Sequence, residues 1–302
     1  MTGFTLRQLS YFIAVADSGT IVAAALTLNV SPSAVSASVR ALERALDAQL
    51  CVRRKAHGVS LTPTGARFLV EARELVARAD VVGMSVASAT GDLVGALTIG
   101  CYLTLSPTVL PRLLAAFARQ HPLVVLNFVE GTQDELQRRL AAGELDLLVL
   151  YDMDVVDDPH RVRLYSAVPY VLLPADHTHA ATGAVSLSRL ITEPFILLDS
   201  PPSSHHTLTV FESEGLVPLV RHRPASYELA RALVGRGLGY SVLVQRPNND
   251  VTYEGRRIVA VEIDPAPAGV DVILTWMRDA RLSRPAQAMV SLARAEFGPS
   301  AT

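Results

Sequence analysis

The sequence predicts an α/β protein in three parts: a small helical head ending in a basic two-stranded wing, one long helix, and a larger body of two α/β lobes. Three observations carry this. Residues 1–62 hold three short helical patterns, then a polar, basic turn between two extended stretches. Residues 63–90 form one helical repeat, and from residue 91 to 302 apolar strand-like runs alternate with helical ones.

In the head, Thr5 caps a first helix whose apolar positions Leu6, Leu9, Phe12, Ile13 and Ala16 recur at three- and four-residue steps, and Gly19 ends it. Thr20 to Leu28 is an Ala-rich second helix. Asn29-Val30 turns the chain, and Ser31 with Pro32 supplies an N-cap followed by proline at the first helical position. On this third helix Val35, Val39, Leu42 and Leu46 form the core stripe. Ser33, Ser36, Ala37, Arg40 and Arg44 lie on other faces.

Short side chains beside a long cation suit a helix that enters a DNA major groove about 12 Å wide. The small residues permit close approach, the hydroxyls of Ser31, Ser33 and Ser36 can meet phosphates or base edges, and Arg40 reaches further. An ordinary solvated face is the competing reading. Against it stands CVRRKAHGVSLTPTG, residues 51–65, which sets Arg53, Arg54 and Lys55 in a turn between extended stretches, as a wing beside a helix-turn-helix. Charge agrees. Residues 1–90 hold nine Arg/Lys and six Asp/Glu, a balance of +3, which leaves −5 for the rest of a chain of net charge −2. A mildly basic head on an acidic body points to double-stranded DNA as the head's partner.

The stretch LRQLSYFIAVADSGTIVAAALTLNVSPSAVSASVRALERALDAQLCVRRKAHGVSLTPTGARFL, residues 6–69, resembles the N-terminal domain of the LysR-type transcriptional regulators of bacteria. The resemblance rests on the alanines of the second helix, Ser33-Ala34-Val35-Ser36 and Leu42-Glu43 of the third, and Leu61 to Gly65 after the wing. Pro32 and Ala37-Ser38 depart from the family's usual residues, and an aromatic usual near Cys51 and Val52 is missing; these changes bear on which bases are read. The resemblance implies a winged helix-turn-helix (1–62), a dimerising linker helix (63–90) and a two-lobed effector domain (91–302) like that of periplasmic binding proteins. It also implies a homodimer or homotetramer on promoter DNA, with RNA polymerase left open as a further partner.

The linker is legible by itself. After the cap-and-proline start at Thr62-Pro63, Phe68, Ala72, Leu75, Ala79, Val82, Val86 and Ala89 are spaced 4, 3, 4, 3, 4, 3. That heptad seam favours pairing of two helices over packing against its own chain.

In the body, LVGALTIG, VVLNFVEG and LDLLVLY read as strands, separated by the helices PTVLPRLLAAFARQ and TQDELQRRLAAG, so a parallel sheet is expected. PYVLLP, EPFILLD and GYSVLV, with helices SSHHTLTVFESEG and SYELARALVGRG, repeat the scheme; VDVILTW and SRPAQAMVSLARAEF return to the first lobe. Lobe I then covers about 91–163 and 268–302, and lobe II about 164–267. Helix N-termini at strand ends carry unpaired N–H groups and partial positive charge, which favours anions in the cleft. Thr104, Ser106, Thr132, Ser200, Ser203 and Ser204 lie at such turns, with His205 beside the last, while Tyr151, Tyr227 and Tyr240 can shape the pocket. Each hydroxyl can equally be a helix cap. The resemblance agrees with a small-molecule effector, commonly an organic acid, in this cleft.

Other chemistries fare worse. His205 and His206 are adjacent on a helix and point about 100° apart, so they cannot share one ion, and no HExxH or GxSxG is present. GRGLG, residues 235–239, follows a helix and precedes a strand, the reverse of a dinucleotide fingerprint. No catalytic residue, metal or cofactor is expected. Cys51 and Cys101 read as buried reduced thiols. No run nears the roughly 18 apolar residues of a membrane helix and no signal peptide is seen, so the expectation is a cytoplasmic protein without membrane contact. The alternative is a cytoplasmic small-solute-binding module without a regulatory role, which the basic head disfavours.

Overall fold

The computed structural model describes residues 3–54, 58–87, 93–156 and 159–298. Its contacts divide the chain into two compact units, residues 1–97 with 121–127 and 141–145, and the remainder.

In the first unit, α1 (Leu6–Ser18), α2 (Ile21–Thr27) and α3 (Pro32–Leu46) begin at the caps Thr5, Thr20 and Ser31, each accepting a backbone N–H of its own first turn. Thr5 and Gln8 complete a capping box, and Gly19 closes α1 in the left-handed conformation. Leu9, Phe12, Val15, Val35, Val39, Leu42 and Leu50 form one buried cluster, so the core stripe expected on α3 is the one used. The wing strands β1 (Cys51–Arg54) and β2 (Gly58–Leu61) pair antiparallel, Cys51 opposite Leu61. Glu43 fixes the wing to α3: its Oε1 accepts the N–H groups of Leu50 (2.9 Å) and Cys51 (3.0 Å). Gly58 sits at φ +78°, where a Cβ would lie 2.4 Å from the Gly19 carbonyl, so only glycine lets the wing's return strand close against the end of α1.

The linker helix α4 (Pro63–Ala87) starts as expected, with Thr62 Oγ1 accepting from Gly65 N at 2.9 Å. Its seam is only partly available to a second chain. Phe68 packs on Phe4 and Phe12, with ring centroids 6.3 and 5.7 Å away, and Ala72 is buried in the same cluster. The first two heptad positions therefore serve the head's own core, because α1 offers an apolar face within reach. Leu75, 44% exposed, is the first seam residue left uncovered. The side chains of Val82 and Val86, and Ala89 altogether, lie outside the described residues.

The body holds a five-stranded sheet and a four-stranded sheet. The first contains β3 (Gly95–Tyr102), β4 (Val124–Gly131), β5 (Leu147–Tyr151), β6 (His160–Ala167) and β13 (Val270–Trp276), in the order β4-β3-β5-β13-β6. Helices α5 (Ser106–Gln120), α6 (Gln133–Ala141) and α9 (Arg284–Phe297) accompany it. β3 and β5 are parallel, but β13 runs antiparallel to both β5 and β6, so the sheet is mixed rather than parallel. β6 is missing from the sequence reading because HRVRLYSA alternates charged and apolar residues at an edge, and it moves the end of the first lobe segment from 163 to 167.

The second sheet contains β7 (Tyr170–Pro174), β8 (Ala184–Val185), β11 (Ser241–Leu243) and β12 (Ile258–Ile263), and beside it β9 (Pro194–Ile196) pairs with β10 (Leu219–His222). Helices α7 (Ser203–Ser213) and α8 (Tyr227–Gly235) belong to this lobe. Expected helix SLSRLI is a single 3-10 turn, Leu187–Arg189. The chain crosses between lobes after β6 and again after β12. Gly239 turns the chain at φ +144° so closely over β9 that a Cβ would meet the Pro194 carbonyl at 2.2 Å, which accounts for the GRGLG run by packing.

Candidate effector cleft and DNA-reading face

On α3, Ser33, Ala34, Ala37, Arg40 and Arg44 are exposed while Val35, Val39 and Leu42 face inward. Two expectations change. Ser31 spends its hydroxyl on the helix, accepting from Ala34 N at 3.2 Å and sharing a bond with Ser33 at 3.0 Å. Ser36 is 8% exposed and turned into the domain, because it falls one residue after Val35 on the flank of the buried stripe. The outer face thus consists of small residues and two arginines. β1 carries Arg53 and Arg54, whose side chains, like Lys55 as a whole, lie outside the described residues.

In the body, a cleft of about 250 Å³ is lined by Thr104 and Tyr151 of the first lobe and by Ser203, Thr207, Tyr227 and Gln245 of the second. Leu198, Val242, Leu243 and Val244 supply its apolar wall. Among the described residues no charged side chain lines it. Two polar ties span the lobes here. Tyr102 Oη donates to the Ser200 carbonyl at 2.9 Å and shares bonds with Ser200 Oγ (2.8 Å) and Ser203 Oγ (3.2 Å). Gln245 makes the other: its Oε1 accepts from Thr108 (3.2 Å) and Tyr165 (3.0 Å) of the first lobe. Its backbone carbonyl accepts from Tyr170 (2.8 Å) and Tyr227 of the second.

Burial pushes the hydroxyls of Tyr102, Tyr151, Tyr170 and Tyr227 above the usual phenol range, so each stays protonated and can donate. Thr104 Oγ1 donates to Tyr151 Oη at 3.4 Å, and Ser106 donates to the Tyr102 carbonyl at 3.2 Å.

The structure therefore brings together Thr104, Tyr151, Ser203 and Tyr227 among the expected residues, with Ser200 just behind through Tyr102. It does not gather the others. Thr132 is exposed and caps α6 through Glu135 N at 3.4 Å, a hydroxyl consumed by its own helix. Ser106 is buried against backbone, Ser204 is buried off the lining, His205 faces solvent, and Tyr240 is a core residue of the second lobe. Gln245 and Thr207 line the cleft without having been singled out. Gln245 was legible in one respect: it is the first polar residue after the apolar run GYSVLV.

Comparison with known proteins is consistent across the chain. Residues 6–66 match the family described as bacterial regulatory helix-turn-helix protein, lysR family, and residues 90–298 match the LysR substrate binding domain. The C-terminal domain of a probable LysR family regulator from Rhodococcus sp. RHA1 is 42% identical with a TM-score of 0.65, covering 67% of this chain and 99% of that one. HinK, a LysR family transcriptional regulator from Pseudomonas aeruginosa, is 34% identical with a TM-score of 0.65 over 98% of this chain and 99% of its own. A "Probable hydrogen peroxide-inducible genes activator" of Mycobacterium avium is 31% identical over 80% of this chain and 78% of its own.

Proposed function

Because the chain belongs to the LysR family of transcriptional regulators, which are not enzymes, we propose that it binds promoter DNA as a dimer or tetramer through α3 and the wing. Its DNA contacts change when a small, anionic metabolite enters the body's cleft, and RNA polymerase is a further partner of that response in the cytoplasm. Among the described residues no single helix is long and apolar enough to cross a membrane. The observation that carries the reading is the meeting of Thr104 and Ser203 hydroxyls from opposite lobes, at the start of the eleven-residue helix α7. A carboxylate there gains the partial positive charge of the helix start and two hydroxyl donors. The helix-turn-helix match over residues 6–66 disfavours a solute-binding module without a regulatory role.

A thermal-shift screen of organic acids against the full chain tests this, since a ligand bound only by the folded state raises its melting temperature. Thr104→Val keeps the side chain's shape, and Ser203→Ala removes one oxygen. A hydrogen bond to an ion contributes about 1.5–3 kcal/mol, so each change should weaken binding of a stabilising acid roughly tenfold or more by calorimetry. Full affinity in both variants would leave the hydroxyls as partners of Tyr151 and Tyr102 only.

Peroxide response, which the name of the mycobacterial relative carries, finds no support in the thiols. Cys51 and Cys101 are both buried, and burial pushes the Cys101 thiol up to about 12. Little of it is then the reactive thiolate at neutral pH. Folded protein held in millimolar hydrogen peroxide should show no added oxygen on the Cys101 peptide by mass spectrometry; rapid formation of a sulfenic or sulfinic acid there would refute the inert-thiol assignment.

A further inference from the structure

Gln245 leaves one strong donor unused. It is 5% exposed, it lines the cleft, and its Nε2 has no hydrogen-bond partner. The amide's orientation is set by the first lobe, because the Tyr165 hydroxyl finds its acceptor in Oε1, which turns Nε2 the other way. On that side the amide lies beside the Tyr151 hydroxyl and acts against the rise in its pKa that burial causes. A buried amide N–H without a partner costs on the order of 1–3 kcal/mol, so a ligand that supplies an acceptor recovers a term the empty cleft forgoes.

The surroundings restrict what that acceptor is. Among the described residues nothing charged lines the cleft. The nearby guanidinium groups are already committed, Arg231 to Glu228 at 3.2 Å and Arg246 to Glu262 at 2.7 Å. A second carboxylate beside Gln245 would lose its hydration with no cation to replace it. A purely apolar group would leave Nε2 as unsatisfied as before.

We propose that Gln245 Nε2 is the donor that sets ligand specificity, receiving an uncharged carbonyl or hydroxyl oxygen on an organic acid. The effector class is therefore an oxo- or hydroxy-carboxylic acid rather than a simple fatty acid or a diacid. This rests on the reading of the cleft as the ligand site, with the carboxylate at Ser203 and Thr104. Because Gln245 also bonds residues of both lobes, the ligand's oxygen meets the chain at a tie between them.

The test is calorimetry of the full chain with 4-oxopentanoate, pentanoate and glutarate, which share a carboxylate and differ in the second group. Wild type should bind 4-oxopentanoate about tenfold tighter than either of the others. Gln245→Leu and Gln245→Glu should abolish that preference. The Glu variant retains Oε1 for Thr108 and Tyr165, and the melting temperatures of both variants, measured alongside, separate lost specificity from lost fold. Equal affinities in wild type, no binding of any of the three acids, or a preference that survives in Gln245→Glu would each overturn the assignment. Failure of the regulator reading looks different: wild-type chain would then fail to retain any promoter duplex selected from a random library, whatever the acids do.

Discussion

A variant carrying Arg40→Ala, Arg53→Ala and Lys55→Ala should bind its selected promoter duplex roughly a thousandfold more weakly than wild type, with two separable causes. Arg40 stands exposed on the outer face of α3, among small side chains and one turn from Arg44. A guanidinium that reads a base edge contributes about 1–3 kcal/mol, so Arg40→Ala alone should relax discrimination between cognate and scrambled duplexes. Arg53 and Lys55, as cations of the basic turn, are expected to meet phosphate rather than base edges. Their loss should weaken all duplexes alike and make the salt dependence shallower by about two units of slope. Electrophoretic shifts at two salt concentrations separate these effects, and a triple variant with wild-type affinity for both duplexes would remove DNA binding from this face.

Much of this was legible in the sequence because its local signals and its tertiary packing agree. Thr5 and Ser31 are the caps they were expected to be, and the stripe Val35, Val39, Leu42 points inward because a 3.6-residue period has only one buried side to offer. Where tertiary contacts decide, pattern alone misleads. The heptad in α4 is real as a spacing, yet Phe68 and Ala72 are taken by α1, and a period of seven does not say whose helix it meets. Ser36 and Ser33 are both serines on one helix, and only the width of the buried stripe separates their fates.

In the cleft, hydroxyls at turns were the available signal, and it overcounts, since Thr132 is satisfied by its own helix and Ser106 by backbone carbonyls. Gln245 could not have been weighted from sequence. Its importance comes from four partners at positions 108, 165, 170 and 227, which only the fold brings to one place.

Phe195→Ala should be the most damaging single change in the second lobe, at about 3–5 kcal/mol, because the site has little freedom to collapse. Phe195 is fully buried, and its ring lies 5.0 Å from both Phe211 of α7 and Tyr240. The backbone around the ring is held as well: Ile196 N donates to the Tyr240 carbonyl at 2.8 Å, Tyr240 N to the Pro194 carbonyl at 3.0 Å, and Ser241 Oγ to the Ile196 carbonyl at 2.7 Å. A void opened beneath such a frame keeps most of its volume. Each kcal/mol lowers the melting temperature of a unit of 150–250 residues by roughly 2–4 °C, so calorimetry should show one transition falling by about 10 °C. The loss reaches function through the same contacts, since Phe211 anchors the helix that begins at Ser203, and Tyr240 opens the strand that delivers Gln245. Ligand affinity should therefore fall together with the melting temperature of that transition. An unchanged transition would mean that this aromatic cluster does not hold the cleft's second wall in place.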